Sequence, residues 1–86
     1  MGEYSKAIDY YEKALKIDRD IFGEAHPSVA RDYNGLGTAY DSLGEYSKAI
    51  DYGEKALEIF VKFLGNDHPS TKTVYNNLMG YKKKVV

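Results

Sequence analysis

The sequence has no cysteine among its 86 residues, which excludes disulfide bonds, thiolate metal sites and cysteine nucleophiles. It has almost no net charge, since 12 basic and 13 acidic side chains leave a net charge of −1. A chain this close to neutral does not attract nucleic acid or an anionic membrane. No apolar run is long enough to span a bilayer, and the N-terminus lacks the basic start and apolar core of a secretory signal. We therefore expect a cytoplasmic domain without a membrane or nucleic-acid partner.

What the sequence does contain is an internal repeat with a period of 42 residues. Residues 2–15 read GEYSKAIDYYEKAL and residues 44–57 read GEYSKAIDYGEKAL, so 13 of 14 positions agree. A looser match continues through His-Pro-Ser at 26–28 and again at 68–70. A fixed period of this length is typical of stacked supersecondary units.

Apolar residues in each segment recur at steps of three and four, which places them on one face of an α-helix. Gly23 and Gly65 suit helix C-termini, Pro27 and Pro69 suit the first turn of the next helix, and Gly44 marks a tight turn. The pattern predicts an all-α protein of four antiparallel helices, at about 3–22, 27–42, 45–64 and 69–84.

A known repeat signature runs through the middle of the chain: an aromatic residue, Leu-Gly, a tyrosine, then small residues on the following helix. Its members are Tyr33, Leu36, Gly37, Tyr40, Gly44, Tyr46, Ala49 and Ala56. In these positions the chain resembles the tetratricopeptide repeat family, whose usual period is about 34 residues. The longer period is similar to that of kinesin light chains. The resemblance implies helix-turn-helix units stacked as a short right-handed solenoid, and a module that binds proteins.

The resemblance also implies a frame for the single domain 1–86. It reads as a half repeat at 2–24, a full repeat at 27–64, and a half repeat or capping helix at 69–86. In this frame the first and third helices are second helices of a repeat. The first helix therefore lacks the helix that covers its equivalent in the third segment.

By resemblance, the first helix of each repeat lines a concave surface that binds a peptide or protein segment. The residues expected there are Arg31, Asn34, Thr38, Asp41, Thr73, Asn76 and Lys83, with Gly80 between the last two. Asn34 and Asn76 are equivalent positions, and an amide can both donate to and accept from a peptide backbone. The basic residues favour an acidic peptide. The alternative is that these amides are only solvated.

A second hypothesis is a self-assembling structural unit. The uncovered face of the first helix, with Ala7, Tyr11 and Ala14, could pair about a two-fold axis and form a homodimer. An open head-to-tail polymer is less favoured. Met79 and Lys82 are among the residues that replace those on which a following helix would pack.

The exchange of Tyr11 for Gly53 is the one break in the repeated block. Losing a ring either opens a pocket or is compensated by larger side chains elsewhere. Helix four has Met79 and Tyr81 where helix two has Gly37 and Ala39. We favour compensation, because an exchange of large for small residues keeps a core dense.

Nothing in the sequence predicts catalysis, a metal or a cofactor. There is no glycine-rich phosphate loop and no nucleophile beside a base. His26 and His68 each precede a proline and are expected as turn or capping residues, a whole repeat apart and unable to share a metal. The run Lys82–Lys84 is expected to complement the dipole of the last helix.

Overall fold

The computed structural model describes residues 3–85, and within this range the protein consists of four α-helices without a strand. The helices are α1 (Glu3–Phe22), α2 (Pro27–Ser42), α3 (Tyr46–Leu64) and α4 (Pro69–Lys83). The predicted all-α class is confirmed. The predicted boundaries are wrong by one residue at two places, since α3 begins at residue 46 and α4 ends at residue 83.

Histidines begin two of the helices. The Nδ1 atoms of His26 and His68 accept hydrogen bonds of 3.0 Å from the backbone N–H groups of Ser28 and Ser70. Each histidine is the N-cap of its helix, with proline in the first turn. These bonds satisfy one of the N–H groups that a helix start leaves without a partner. The capping role predicted for both histidines is confirmed.

A glycine lies in the connection that follows each of the first three helices. Gly23, Gly44 and Gly65 have φ angles of 88°, 82° and 87°, which side chains rarely tolerate. Gly65 combines its positive φ with a ψ of 164°, a region that only glycine occupies readily. The short connections let consecutive helices run antiparallel and pack against each other.

The contact between α2 and α3 is made by small residues. A Cβ atom added to Gly37 would lie 3.3 Å from the carbonyl oxygen of Ala49 and 3.6 Å from the backbone nitrogen of Gly53. The two helix backbones can approach this closely only because these side chains are small or absent. The tetratricopeptide-like signature at Gly37 and Ala49 therefore has a direct packing cause.

Aromatic rings surround this close contact. The ring of Tyr52 on α3 stacks against Tyr33 and Tyr40 of α2, with centroid distances of 5.9 and 5.7 Å. The ammonium group of Lys55 lies 5.5 Å from the centre of the Tyr33 ring and 5.7 Å from that of Tyr52. Both distances are in the range of cation–π attraction. Tyr52 thus locks the register of α3 on α2.

The apolar core lies around α2, where Leu36 and Val29 are fully buried. Helix α1 contributes less to it. In α1 only Ile8 and Leu15 are buried, although the apolar pattern of this helix is as regular as that of α3. Within residues 3–85, α1 packs on α2 alone, so most of its apolar face stays exposed.

Gly53 is buried and its space is filled. A Cβ atom at this position would lie 3.0 Å from Leu78 Cδ1 and 3.5 Å from Tyr81 Cε2. Compensation is therefore the correct interpretation, with Leu78 and Tyr81 as the filling side chains. Met79 supplies none of the three nearest atoms and packs on the cluster that contains Leu78 and Tyr81.

The close approach of α2 and α3 predicts different outcomes for two glycine substitutions. Gly37→Ala should lower the free energy of unfolding by about 1–2 kcal/mol, because its Cβ would press on backbone atoms of α3. Gly80→Ala is the matched control. No atom outside its own helix lies within 4 Å of that Cβ, so better helix propensity should stabilise the protein by up to about 1 kcal/mol. Urea unfolding followed by circular dichroism measures both, and equal stabilisation by the two substitutions would contradict the packing described.

Candidate functional site

A groove of about 970 Å³ lies between α1 and α2, and we call it the α1/α2 groove. Its α1 wall is formed by Tyr4, Ala7, Tyr10, Tyr11, Lys13, Ala14, Ile17 and Asp18. Its α2 wall is formed by Arg31, Asp32, Asn34, Gly35, Thr38, Ala39 and Ser42.

The groove unites residues that the sequence hypotheses assigned to separate surfaces. The self-association residues Ala7, Tyr11 and Ala14 line it from α1, and the peptide-binding residues Arg31, Asn34 and Thr38 line it from α2. The groove exists because α1 rests against one side of α2 and leaves its own outer side uncovered. One surface therefore carries all three predicted self-association residues and three of the seven predicted peptide-binding residues.

Tyr11 forms the floor of the groove. A Cβ atom at Gly35 would overlap the Tyr11 ring, so the ring depends on glycine at that position. One period later the two positions hold Gly53 and Asn77. There the space beside the glycine is filled by the ring of Tyr81 on α4. Sequence reasoning missed the Tyr11–Gly35 contact, although the change at both positions between repeats was a usable signal.

The α1 wall exposes side chains that α3 buries. Tyr10 is 68% exposed and Ile17 is 57% exposed. Their equivalents one period later are Tyr52 and Ile59. Tyr52 stacks between two rings of α2 and Ile59 is 7% exposed. Apart from Tyr11 and Asp18, the α1 wall therefore repeats the residues of the α3 surface on which α2 sits, and no helix of the described residues covers it.

Two carboxyl groups meet at one end of the groove. Asp32 is 5% exposed, and its Oδ2 atom has no hydrogen-bond partner among residues 3–85. Burial, the Asp18 side chain and the Asp18 charge, in that order of importance, together raise the pKa of Asp32 to about 7, and the charge of Arg31 opposes them. Asp32 therefore keeps its proton up to near neutral pH.

Helix α4 contacts α2 at a few of the predicted groove residues. Asn77 Nδ2 donates to Asn34 Oδ1 at 3.4 Å, so the residue that meets Asn34 is Asn77 and not Asn76. Asn76 is exposed and lines a depression with Leu57 and Tyr75 on the α3 side of α4. The contact to Asn34 thus comes from the position next to Asn76, since a step of one residue turns a helix by about 100°. That Asn34 and Asn76 bind one peptide stays a prediction.

Two more of the predicted groove residues are bound to α4. The hydroxyl oxygens of Thr38 and Tyr81 lie 3.3 Å apart, and Lys84 Nζ donates to both carboxylate oxygens of Asp41 at 2.8 and 3.1 Å. This bond raises the pKa of Lys84. Lys84 thus has a specific partner in addition to the helix dipole expected from the sequence.

The remaining predicted residues are spread over the surface. Thr73 lies with Arg31 and Asn34 in a smaller cleft of about 410 Å³ between α2 and α4. Lys83 is exposed at the end of α4, and Gly80 is partly buried with open space at its Cβ position. The predicted peptide site is therefore divided between the α1/α2 groove, this cleft and the far side of α4.

Chemistry other than binding finds no support in the part of the chain that the structure describes. Residues 3–85 contain no group of three or more histidines, aspartates and glutamates that could hold a metal ion. None of the four helices combines the length and the apolarity needed to cross a bilayer.

Repeated helix pairs, a glycine–alanine contact between them and capped turns at a fixed period define a helical repeat protein. The sequence model of the Tetratricopeptide repeat family matches residues 1–61, and the chain belongs to this family. Members generally mediate protein–protein interactions and are typically non-catalytic. A comparison with curated proteins gave no match. The likeness to kinesin light chains stays a prediction.

The carboxyl pair predicts an unusual pH dependence of stability. The pKa of Asp32 is higher in the folded protein than in the unfolded chain, so the folded state binds more protons between the two values. Stability from this group is present below about pH 4 and is lost as the pH rises through about 7. Asp32→Asn removes the titrating group.

Urea unfolding at about pH 4.5 and about pH 8 tests this. From the lower to the higher pH, the free energy of unfolding should fall by up to a few kcal/mol more for the parent chain than for Asp32→Asn. Asp67→Asn, at an exposed carboxylate in the last connection, is the control and should behave like the parent. Parallel plots of stability against pH for the parent and Asp32→Asn would contradict the raised pKa of Asp32.

Proposed function

We propose that the protein is a non-catalytic interaction module that takes up a helix of a partner protein in the α1/α2 groove. The observation that carries this proposal is the equivalence of the α1 wall and the α3 surface. The same residue types that hold α2 on α3 are exposed on α1. Apolar surface of this extent and periodicity typically marks an interaction site, and an amphipathic helix in a groove is a common mode of recognition.

The α2–α3 contact indicates which residues the partner helix should carry. Tyr33 and Tyr40, seven residues apart, flank Tyr52, and Gly37 lies between them in the sequence. A partner helix with two aromatic residues at this spacing could flank Tyr10 in the same manner. A small residue between them would let the helix approach Ala7, the equivalent of Ala49.

A peptide with the sequence of residues 27–43 is a suitable probe, because it carries this arrangement. Tyr10→Ala should weaken its binding about tenfold or more, since buried aromatic side chains dominate helix-in-groove contacts. The matched control is Tyr75→Ala, at a tyrosine that is 51% exposed on α4. Fluorescence anisotropy with labelled peptide measures both. Equal effects of the two substitutions would move the site away from α1.

Self-association through the same face is a second candidate. Ile17, Ile21 and Phe22 of α1 are 57%, 66% and 47% exposed, enough apolar surface for α1 helices of two copies to pair. A head-to-tail polymer is disfavoured. Helix α4 has Met79 where Gly37 of α2 already approaches Ala49 within 3.3 Å at its Cβ position.

Light scattering after gel filtration decides between the two uses of α1. A homodimer should dissociate with Ile17→Glu and persist with the control Val61→Glu, which alters an exposed apolar residue of α3. A monomer at all concentrations would leave the α1/α2 groove free for a different protein and would remove self-association from the account.

The concave surface is the third candidate, as a site for an extended acidic peptide. Arg31 and Thr73 support it from the cleft between α2 and α4. A peptide there would compete with the bonds that Asn34, Thr38 and Asp41 make to α4. We therefore rank peptide binding on the concave surface below helix binding in the α1/α2 groove.

A further inference from the structure

We infer that the α1/α2 groove selects a partner helix that carries an arginine or lysine side chain over the Asp18–Asp32 carboxyl pair. The inference rests on the function proposed above and adds the chemistry of the partner. It starts from a buried acidic group, lining the groove, that lacks a counterion.

Asp32 is 95% buried by residue surface, yet its Oδ2 atom has no hydrogen-bond partner among the described residues. Asp18 faces it from α1. The cations on the groove walls are Arg31, on α2, and Lys13, on α1. Neither makes a hydrogen bond or an ion pair with Asp18 or Asp32 within residues 3–85. A charged pair at this place therefore needs a cation from outside, because an uncompensated buried charge is costly.

The fold itself does not require these carboxyls. One period later the two positions are Phe60 and Val74, which are 6% and 1% exposed and belong to the apolar core. Both positions change together from polar to apolar between the repeats. The first repeat thus has an acidic pair at the two positions where the second repeat has a hydrophobic pair.

The second repeat also shows where a docked helix would place a basic residue. Arg31 of α2 lines the same cleft as Phe60 and Val74. A helix that sits on α1 as α2 sits on α3 would bring its residue equivalent to Arg31 to the Asp18–Asp32 pair. The partner then has a basic residue two positions before the aromatic residue that contacts Tyr10, as Arg31 precedes Tyr33.

A basic side chain fits this place better than a metal ion. Among residues 3–85 no third histidine or carboxylate joins Asp18 and Asp32 in a group that could hold a metal ion. A guanidinium can bind a carboxylate through two parallel hydrogen bonds, which are stronger than neutral ones. A helix without a cation would bury the pair without compensation, so the groove discriminates between partners.

The experiment adds residues 27–43 as a second copy directly before Gly2 of the full chain. This reproduces the native α2–α3 connection, because Gly2-Glu3-Tyr4 repeats Gly44-Glu45-Tyr46. The thermal unfolding midpoint at about pH 8 should rise above that of the original chain. Alanine in place of the added arginine should then lower the midpoint of the extended chain by about 4–8 °C. The control is alanine in place of the added aspartate equivalent to Asp41, which should have little effect.

Two further measurements assign the effect to the carboxyl pair. At about pH 5, below the pKa of Asp32, that carboxyl is neutral and the added arginine should matter less. In a chain with Asp18→Phe and Asp32→Val, which copies the second repeat, it should not matter at all. Asp32→Asn is the milder replacement if the double substitution does not fold.

The outcomes separate the two claims. If the added helix does not raise the midpoint at all, helix docking on α1 is wrong and the inference falls with it. If the helix stabilises the chain equally with arginine and with alanine, docking stands and selection of a basic residue is wrong. An arginine effect that persists without the two carboxyls would also overturn the inference, because its partner would lie elsewhere.

Discussion

The close approach of α2 and α3 is the contact on which the rest of the structure depends. It requires Gly37 on one helix opposite the backbone of Ala49 and Gly53 on the other. This spacing lets the ring of Tyr52 enter between two tyrosines of α2. It also sets the distance at which Tyr81 of α4 reaches both glycines, with Cε2 3.5 Å from either Cβ position. A core this small has few other contacts that could replace it.

The two ends of the helix array differ because of this contact. Helix α1 presents the same surface as α3, with Ala7 and Tyr10 at the positions of Ala49 and Tyr52. Helix α4 cannot supply the matching surface, since Met79 stands at the place of Gly37. Among the described residues, α1 therefore has an uncovered face that resembles the α3 surface under α2, and α4 does not match the helix that such a face would fit. This asymmetry favours binding of a different helix over continuous stacking of identical chains.

Much of the fold could be predicted from the sequence because its signals are local. The apolar steps of three and four residues, the His-Pro helix starts and the glycine ends gave helices correct to within one residue. The exchange of Tyr11 and Gly53 predicted that a larger side chain fills the space, and Tyr81 does so. Leu78 was overlooked, since it is leucine in both repeats and gives no signal of change.

The candidate site was harder to predict, because it depends on which side of each helix meets which neighbour. Asn76 was chosen by equivalence with Asn34, and equivalent residues point in the same direction along the array, so the residue of α4 that contacts Asn34 is a different one. Asn77, one position further, turns back toward α2. The Asp18–Asp32 pair comes from two helices and is recognisable only once α1 lies on α2. Its one trace in the sequence is the joint change to Phe60 and Val74.

Hydrogen exchange of the backbone amides tests most directly whether α1 is the receptive helix. The account predicts that amides of α1 exchange faster than those of α3 in the protein alone, although the two helices have nearly the same sequence in their first halves. Binding of the 27–43 peptide should slow exchange along α1 and leave α4 unchanged. Equal protection of α1 and α3 in the protein alone, or new protection at α4 on binding, would contradict the account.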